Sequence, residues 1–230
     1  MRPVAGLLAY ALCAQRLGVD LVCAPVDQGF VALDGLVRRA AKSLAGFRTG
    51  LFPAVAGAAK PSSAPALDFR DIAGHDMAKR ALQIAAAGGH GVLMTGPPGS
   101  GKTMLASRLP SILPPLSEAE AIETAVVHSV AGEEVEPILG GVRPFRSPHH
   151  SATLAGLVGG GSPLRPGKIS LANNGVLFLD ELAEFSPSVL QGIRQPLESG
   201  RVTLTRADGN VDFPARFMLV AATNPCPAAT

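Results

Sequence analysis

Eight consecutive residues constrain this chain more than any others: Gly96-Pro97-Pro98-Gly99-Ser100-Gly101-Lys102-Thr103. They fit the pattern G-x-x-x-x-G-K-[ST], and each part has a physical reason. The glycines let the backbone curl so that successive N–H groups face inward at phosphate oxygens. A helix beginning near Lys102 aims the positive end of its dipole at the same anion. Lys102 is placed to reach β- and γ-phosphates, and the Thr103 hydroxyl to ligate magnesium. Met104 follows directly and joins the nucleotide-contacting set, while Pro97 and Pro98 stiffen the loop entry. The context agrees: residues 91–95 (Gly-Val-Leu-Met-Thr) are a short apolar strand leading into the loop. ATP and Mg2+ are the ligands this pattern implies.

A second element completes the chemistry. Residues 175–179 (Gly-Val-Leu-Phe-Leu) hold four apolar residues in a row, as a parallel strand buried on both faces requires. Asp180 at its carboxyl end is a candidate for the magnesium shell, and Glu181 for the general base that polarises the attacking water. Taken alone, Asp180-Glu181 also fits two solvated carboxylates at a strand end. Residues 217–222 are a further buried strand, ending at Thr223-Asn224. If that strand lies beside the loop strand, Asn224 sits near the γ-phosphate and can orient the water. The alternative is an Asn224-Pro225 turn.

Around this centre the chain reads as follows. A helix over 2–17, a buried strand over 19–24 and an amphipathic helix over 33–44 precede a Pro/Ala/Gly/Ser linker over 49–67. A new unit starts at Asp68, with a helix over 76–87. Residues 143–150 (Arg-Pro-Phe-Arg-Ser-Pro-His-His) lead into a helical stretch over 151–157. Residues 159–168 are glycine- and proline-rich and are expected to be a mobile exposed loop in which Arg165 and Lys168 meet a phosphate backbone, or else an ordinary solvated hairpin. Residues 200–216 alternate as a β-hairpin around Asp208-Gly209. Its Arg201 and Arg206 are candidate substrate or neighbour contacts, or plain solvated charges. His149 and His150 are adjacent, and adjacent residues seldom both reach one ion, so a structural or subunit-contact role is expected.

Composition excludes several classes. Apolar residues make up 47% and charged residues 17%, enough for a packed core, and the net charge of +2 does not by itself imply nucleic acid. No run approaches the ~18–20 apolar residues of a membrane span, so a cytoplasmic protein without a membrane role is expected. Cys13, Cys23 and Cys226 form no CxxC pair, and Cys13 and Cys23 read as core packing. With no Trp and one Tyr, a base-stacking platform is not expected.

From Asp68 onward the chain closely resembles the ComM/YifB family of bacterial magnesium-chelatase-like AAA+ ATPases. The resemblance rests on phrases in order beyond the phosphate loop: His128-Ser129-Val130-Ala131-Gly132, Arg143 to His150, Ser170-Leu171-Ala172, Arg194-Gln195-Pro196-Leu197-Glu198 and Asn224-Pro225-Cys226-Pro227. It implies an α/β fold: a P-loop NTPase AAA+ core with a parallel sheet, helices on both faces and β-hairpin insertions. It also implies that residues 1–48 are the end of a Lon-protease-like α+β domain, with Arg2 near the position of Lon's catalytic lysine. Residues 68–230 would then be a core without its helical lid. The implied function is ATP hydrolysis by a homo-oligomeric, hexameric ring that remodels branched or single-stranded DNA, as in branch migration during natural transformation. Lys102, Thr103, Asp180, Glu181 and Asn224 take their AAA+ roles on this resemblance. The alternatives are a magnesium-chelatase-type ATPase subunit acting on a protein partner, and a nucleotide-binding module without turnover. The arginine finger and second sensor are expected past Thr230, so slow hydrolysis by a piece of a longer product is expected.

Overall fold

The computed structural model describes residues 4–24, 33, 35–41, 43–50, 52–54, 67–206 and 209–225, without the side chains of Leu44, Phe47 and Arg206. Arg2, most of the linker, Asp208 and Cys226 lie outside them. In chain order the elements are α1 (Leu7–Leu17), β1 (Leu21–Cys23), β2 (Arg38–Ala40), α2 (Leu44–Thr49), α3 (Asp76–Gly88), β3 (Val92–Thr95), α4 (Lys102–Ser107), α5 (Glu118–Ala131) and α6 (Glu136–Leu139). There follow β4 (Phe145–Arg146), α7 (Leu154–Val158), β5 (Gly159–Gly160), β6 (Arg165–Pro166), α8 (Lys168–Leu171), β7 (Val176–Leu179), α9 (Pro187–Ser199), β8 (Arg201–Arg206), β9 (Gly209–Pro214) and β10 (Met218–Thr223).

The centre is a four-stranded parallel sheet in the order β3-β10-β7-β4. Alternate residues of a strand point to opposite faces; both faces are covered over β7 and β10, while Leu93 of the edge strand β3 stays exposed. Val176, Phe178, Val220 and Ala222 meet Leu82 and Ala86 of α3 and Leu105 and Ala106 of α4. Leu177, Leu179 and Ala221 meet Ile169 of α8, Val189 and Ile193 of α9, and Leu157 of α7. All four residues of β7 are buried, which is why its sequence shows no polar alternation. The α/β fold with a parallel sheet and helices on both faces is therefore present. The hairpin over 200–216 is also present: β8 pairs antiparallel with β9, from Arg201↔Pro214 to Arg206↔Gly209.

Two expectations are corrected, and one open alternative is decided. The helix over 33–44 is absent; instead β2 pairs in parallel with β1, and a short α2 follows. Arg38 and Ala40 are buried while Arg39 faces Asp20 at 2.7 Å, so strand pairing overrides the helical pattern. Cys13 is exposed rather than in the core, because α1 buries Leu8, Ala11 and Ala14 and turns Cys13 outward. Of the two readings of 159–168, the hairpin is the one present: β5 and β6 are antiparallel, and Leu157, Pro166 and Gly167 are buried at its base. A Cβ on Gly159, whose φ is 109°, would come within 2.6 Å of the Arg165 carbonyl oxygen, so glycine is required for that close approach. Arg165 and Lys168 are exposed as expected.

Helix α5 starts with a capping box between Ser117 and Glu120. The Ser117 hydrogen bonds hold the Glu120 carboxyl below its ordinary value. Near its end, His128 locks three elements together. Its Nε2 donates to the Leu171 carbonyl of α8 (3.0 Å), and its Nδ1 accepts from Arg146 of β4 (3.1 Å), which also pairs with Glu133. That pattern is the neutral imidazole, although Glu133 lies 3.3 Å from Nδ1. Burial first, then the Arg146 cation and Lys168, push the His128 pKa below 6.5, against the Leu171 bond and Glu133. The unfolded chain takes up this proton more readily, so His128's contribution is complete above about pH 6.5 and is lost as the pH falls toward the folded value. The melting temperature is expected to fall between about pH 7.5 and about pH 5.5, and less steeply for His128→Gln. Identical slopes by circular dichroism would contradict this.

Candidate active site

The sheet order converts separated sequence elements into one site. β10 lies between β3 and β7, with Thr223 opposite Thr95 and Ala221 opposite Leu179. The residues that follow these strands therefore meet at one end of the sheet: Gly96 to Lys102 after β3, Asn224 after β10, Asp180 and Glu181 after β7. Ligands of open parallel sheets bind at this carboxyl end. Pro98, Gly99, Ser100, Gly101, Lys102, Thr103, Met104, Asp180, Glu181 and Asn224 line a cavity of about 410 Å³ here. A larger cavity of about 610 Å³, lined by His128, Glu133, Arg143 and Arg146 among others, lies elsewhere and holds none of these groups.

The loop has the conformation its sequence requires. Gly101 caps α4 with φ 78°, a left-handed backbone that side chains rarely adopt. Lys102 Nζ donates to the carbonyls of Gly96 (2.6 Å) and Pro97 (3.0 Å), and to Asn224 Oδ1 (3.1 Å). The ammonium group thus stands over the loop with its contacts on groups that an incoming anion can replace. Thr103 Oγ1 donates to Asp180 Oδ2 at 2.6 Å, and the Glu181 N–H donates to Asp180 Oδ1 at 3.0 Å. A hydroxyl and a carboxylate at this distance form the hard oxygen set that magnesium takes. The Glu181 backbone is left-handed (φ 53°), and its carboxylate lies 3.3 Å from His150 Nδ1.

Every residue expected in the site from sequence is brought to this end of the sheet. Gly96 and Pro97 serve through their carbonyls on Lys102 rather than through the cavity wall. Arg201, Arg165 and Lys168 do not line the cavity. What sequence reasoning missed is His150. Its signal lies in the position of Arg146-Ser147-Pro148-His149-His150 just past a strand, and it became readable only once β4 was paired to β7.

This geometry can be set beside known proteins. The family described as magnesium chelatase, subunit ChlI, matches residues 68–230. The competence protein ComM of Haemophilus influenzae is 59% identical over 161 residues, 70% of this chain and 32% of that protein. The chain belongs to the magnesium-chelatase-like ComM/YifB family. Among its ComM/YifB relatives, the YifB protein of Salmonella typhimurium is 43% identical over 233 residues, 99% of this chain and 46% of that protein. The chain thus spans about a third to a half of the length of these two proteins. A cryo-EM-based structure of the complex between subunits BchI and BchD of magnesium chelatase shares the fold of this ComM/YifB-type chain. It matches with TM-score 0.53 at 22% identity, over 72% of this chain and 57% of that one. Among the described residues, no helix is long and apolar enough to cross a membrane.

Proposed function

We propose that the chain binds Mg·ATP in the cavity after β3 and hydrolyses it as an AAA+ motor. The observation that carries this reading is the convergence of Lys102, Thr103, Asp180, Glu181 and Asn224 at one end of the sheet. Lys102 exchanges its loop carbonyls for β- and γ-phosphate oxygens, while the loop N–H groups cradle the same anion. Thr103 and Asp180 would hold magnesium, whose chemistry is neutralisation of the phosphate charge. Glu181 takes the proton of the attacking water, and Asn224, next to Lys102, orients that water. On this reading residues 68–230 are the motor core, 49–67 a linker, and 1–48 part of a Lon-like domain whose α1 packs against α5 through Leu8.

The work proposed for the motor is DNA remodelling of the branch-migration kind, within a hexameric ring in the cytoplasm. The support is the 59% identity to a competence protein and the exposed Arg165 and Lys168 on and just after the β5–β6 hairpin. A chelatase-type motor acting on a protein partner is the second reading, favoured by the ChlI family match. Turnover of the full-length protein, measured with and without branched DNA, separates the two. We expect stimulation of about threefold or more at low salt, declining as salt rises. No DNA-dependent rise at any salt concentration would remove the DNA reading and leave the chelatase type.

A further inference from the structure

We infer that Ser129 clasps the first unit of the chain to the motor core by capping one helix of each, so that the two travel as one body rather than swinging about the 49–67 linker. The Lon-like label for that unit rests on the proposed domain reading; the clasp does not.

The need for a clasp starts from what α1 lacks. Its N-cap is Gly6, which has no side chain to accept a hydrogen bond, and its first turn holds no acidic residue. The first N–H groups of a helix have no partner within it, and a buried one left unpaired costs about as much as a lost hydrogen bond. Leu8, near the start of α1, is buried. Ser129 supplies the acceptors from another element. Its Oγ accepts from the Leu8 N–H at 3.3 Å, and its carbonyl accepts from the Gly6 N–H at 2.7 Å. That carbonyl also accepts from Gly132, the residue that closes α5, at 3.0 Å. One residue thus serves the N-terminus of α1 and the C-terminus of α5, and the positive end of one helix dipole meets the negative end of the other.

Helix α5 is the shared wall. Residues four apart lie on one face of a helix. Ala121, Ala125 and Ser129 form the stripe that meets α1, where the two alanines share an apolar cluster with Leu8 and with Ile138 and Leu139 of α6. Thr124 and His128 form the adjoining stripe, which faces the core. Thr124 Oγ1 donates to the Asn173 carbonyl (3.4 Å), and His128 bonds the Leu171 carbonyl of α8 (3.0 Å). Helix α8 begins directly after the β5–β6 hairpin. The turn of α5 that carries His128 and Ser129 therefore holds α1 on one side and the base of the hairpin on the other. The first unit is anchored beside the segment that presents Arg165 to solvent.

Hydrogen exchange and 15N relaxation on the whole chain test the clasp. In the wild type, the α1 amides are expected to tumble with those of β7 and β10; a shorter correlation time for α1 overturns the single body. Ser129→Ala removes the hydroxyl and leaves the carbonyl. In that variant the amides of Leu8, Ala11 and Leu12 are expected to exchange about fivefold faster together, because losing a cap releases α1 as one cooperative unit. The Ala125 amide of α5 is expected to keep its wild-type rate. Unchanged α1 exchange in Ser129→Ala overturns the inference. So does an acceleration confined to Leu8, which would make Ser129 a local cap, and one that includes Ala125, which would make it a support of α5 alone. Nucleotide hydrolysis plays no part in these readouts, so they stand if the ATPase reading fails. A fold other than Lon-like for residues 1–48 would remove the label and leave the clasp to the same test.

Discussion

Replacing Lys102 with alanine is expected to weaken ATP binding at least about a hundredfold, because a charge-assisted contact to two phosphates is lost from a partly enclosed site. The fold should hold. Lys102 contacts loop carbonyls and Asn224 rather than the core, so its loss should cost no more than about 0.5 kcal/mol of stability. Isothermal titration of ATP in the presence of magnesium, alongside a denaturant melt, separates the two quantities. Retained affinity with an intact fold would mean that the loop is not the phosphate site. Lys102→Arg is no substitute control, since a planar guanidinium cannot reproduce a compact ammonium above a tight loop.

Glu181→Gln is expected to produce the opposite pattern: ATP affinity within about twofold of wild type, and turnover lower by about 10²- to 10⁴-fold. The reasoning is geometric. Glu181 lines the cavity but leaves both the phosphate cradle and the Thr103–Asp180 oxygen pair to other residues. Removing its charge therefore takes away proton acceptance without disturbing the binding contacts. If affinity collapses together with turnover, Glu181 is a binding residue and the role given to it here is wrong. Single-turnover hydrolysis with a filter-binding assay reads both numbers from the same preparation.

The two parts of the site were unequally legible in the sequence. The phosphate loop is contiguous and needs only local geometry, so its residues can be named without a fold. Asp180, Glu181 and Asn224 needed one further assumption, that three apolar runs lie side by side in a parallel sheet, and the parallel pairing of β10 with both β3 and β7 bears this out. The 33–44 segment misled because its spacing satisfies a helix. Its real partner, β1, lies before it in sequence, and only that pairing explains why Arg38 is buried. The 159–168 segment left two readings open, a loop or a hairpin. Glycine and proline signal irregular backbone, but here they permit two very short strands to approach closely above Leu157. His150 stayed hidden because β4 is two residues long and carries no periodicity at all. Its contact with Glu181 is a consequence of sheet register, which no local pattern encodes.

The central claim is that residues 96–103, 180–181 and 224 form one Mg·ATP site, and a crystal structure with Mg2+ and AMP-PNP tests it most directly. The account predicts the β- and γ-phosphates within the curl of 96–103 with Lys102 turned onto them, and magnesium beside Thr103 and Asp180. A nucleotide bound elsewhere, or a Lys102 still held by the Gly96 and Pro97 carbonyls with phosphate present, would contradict it.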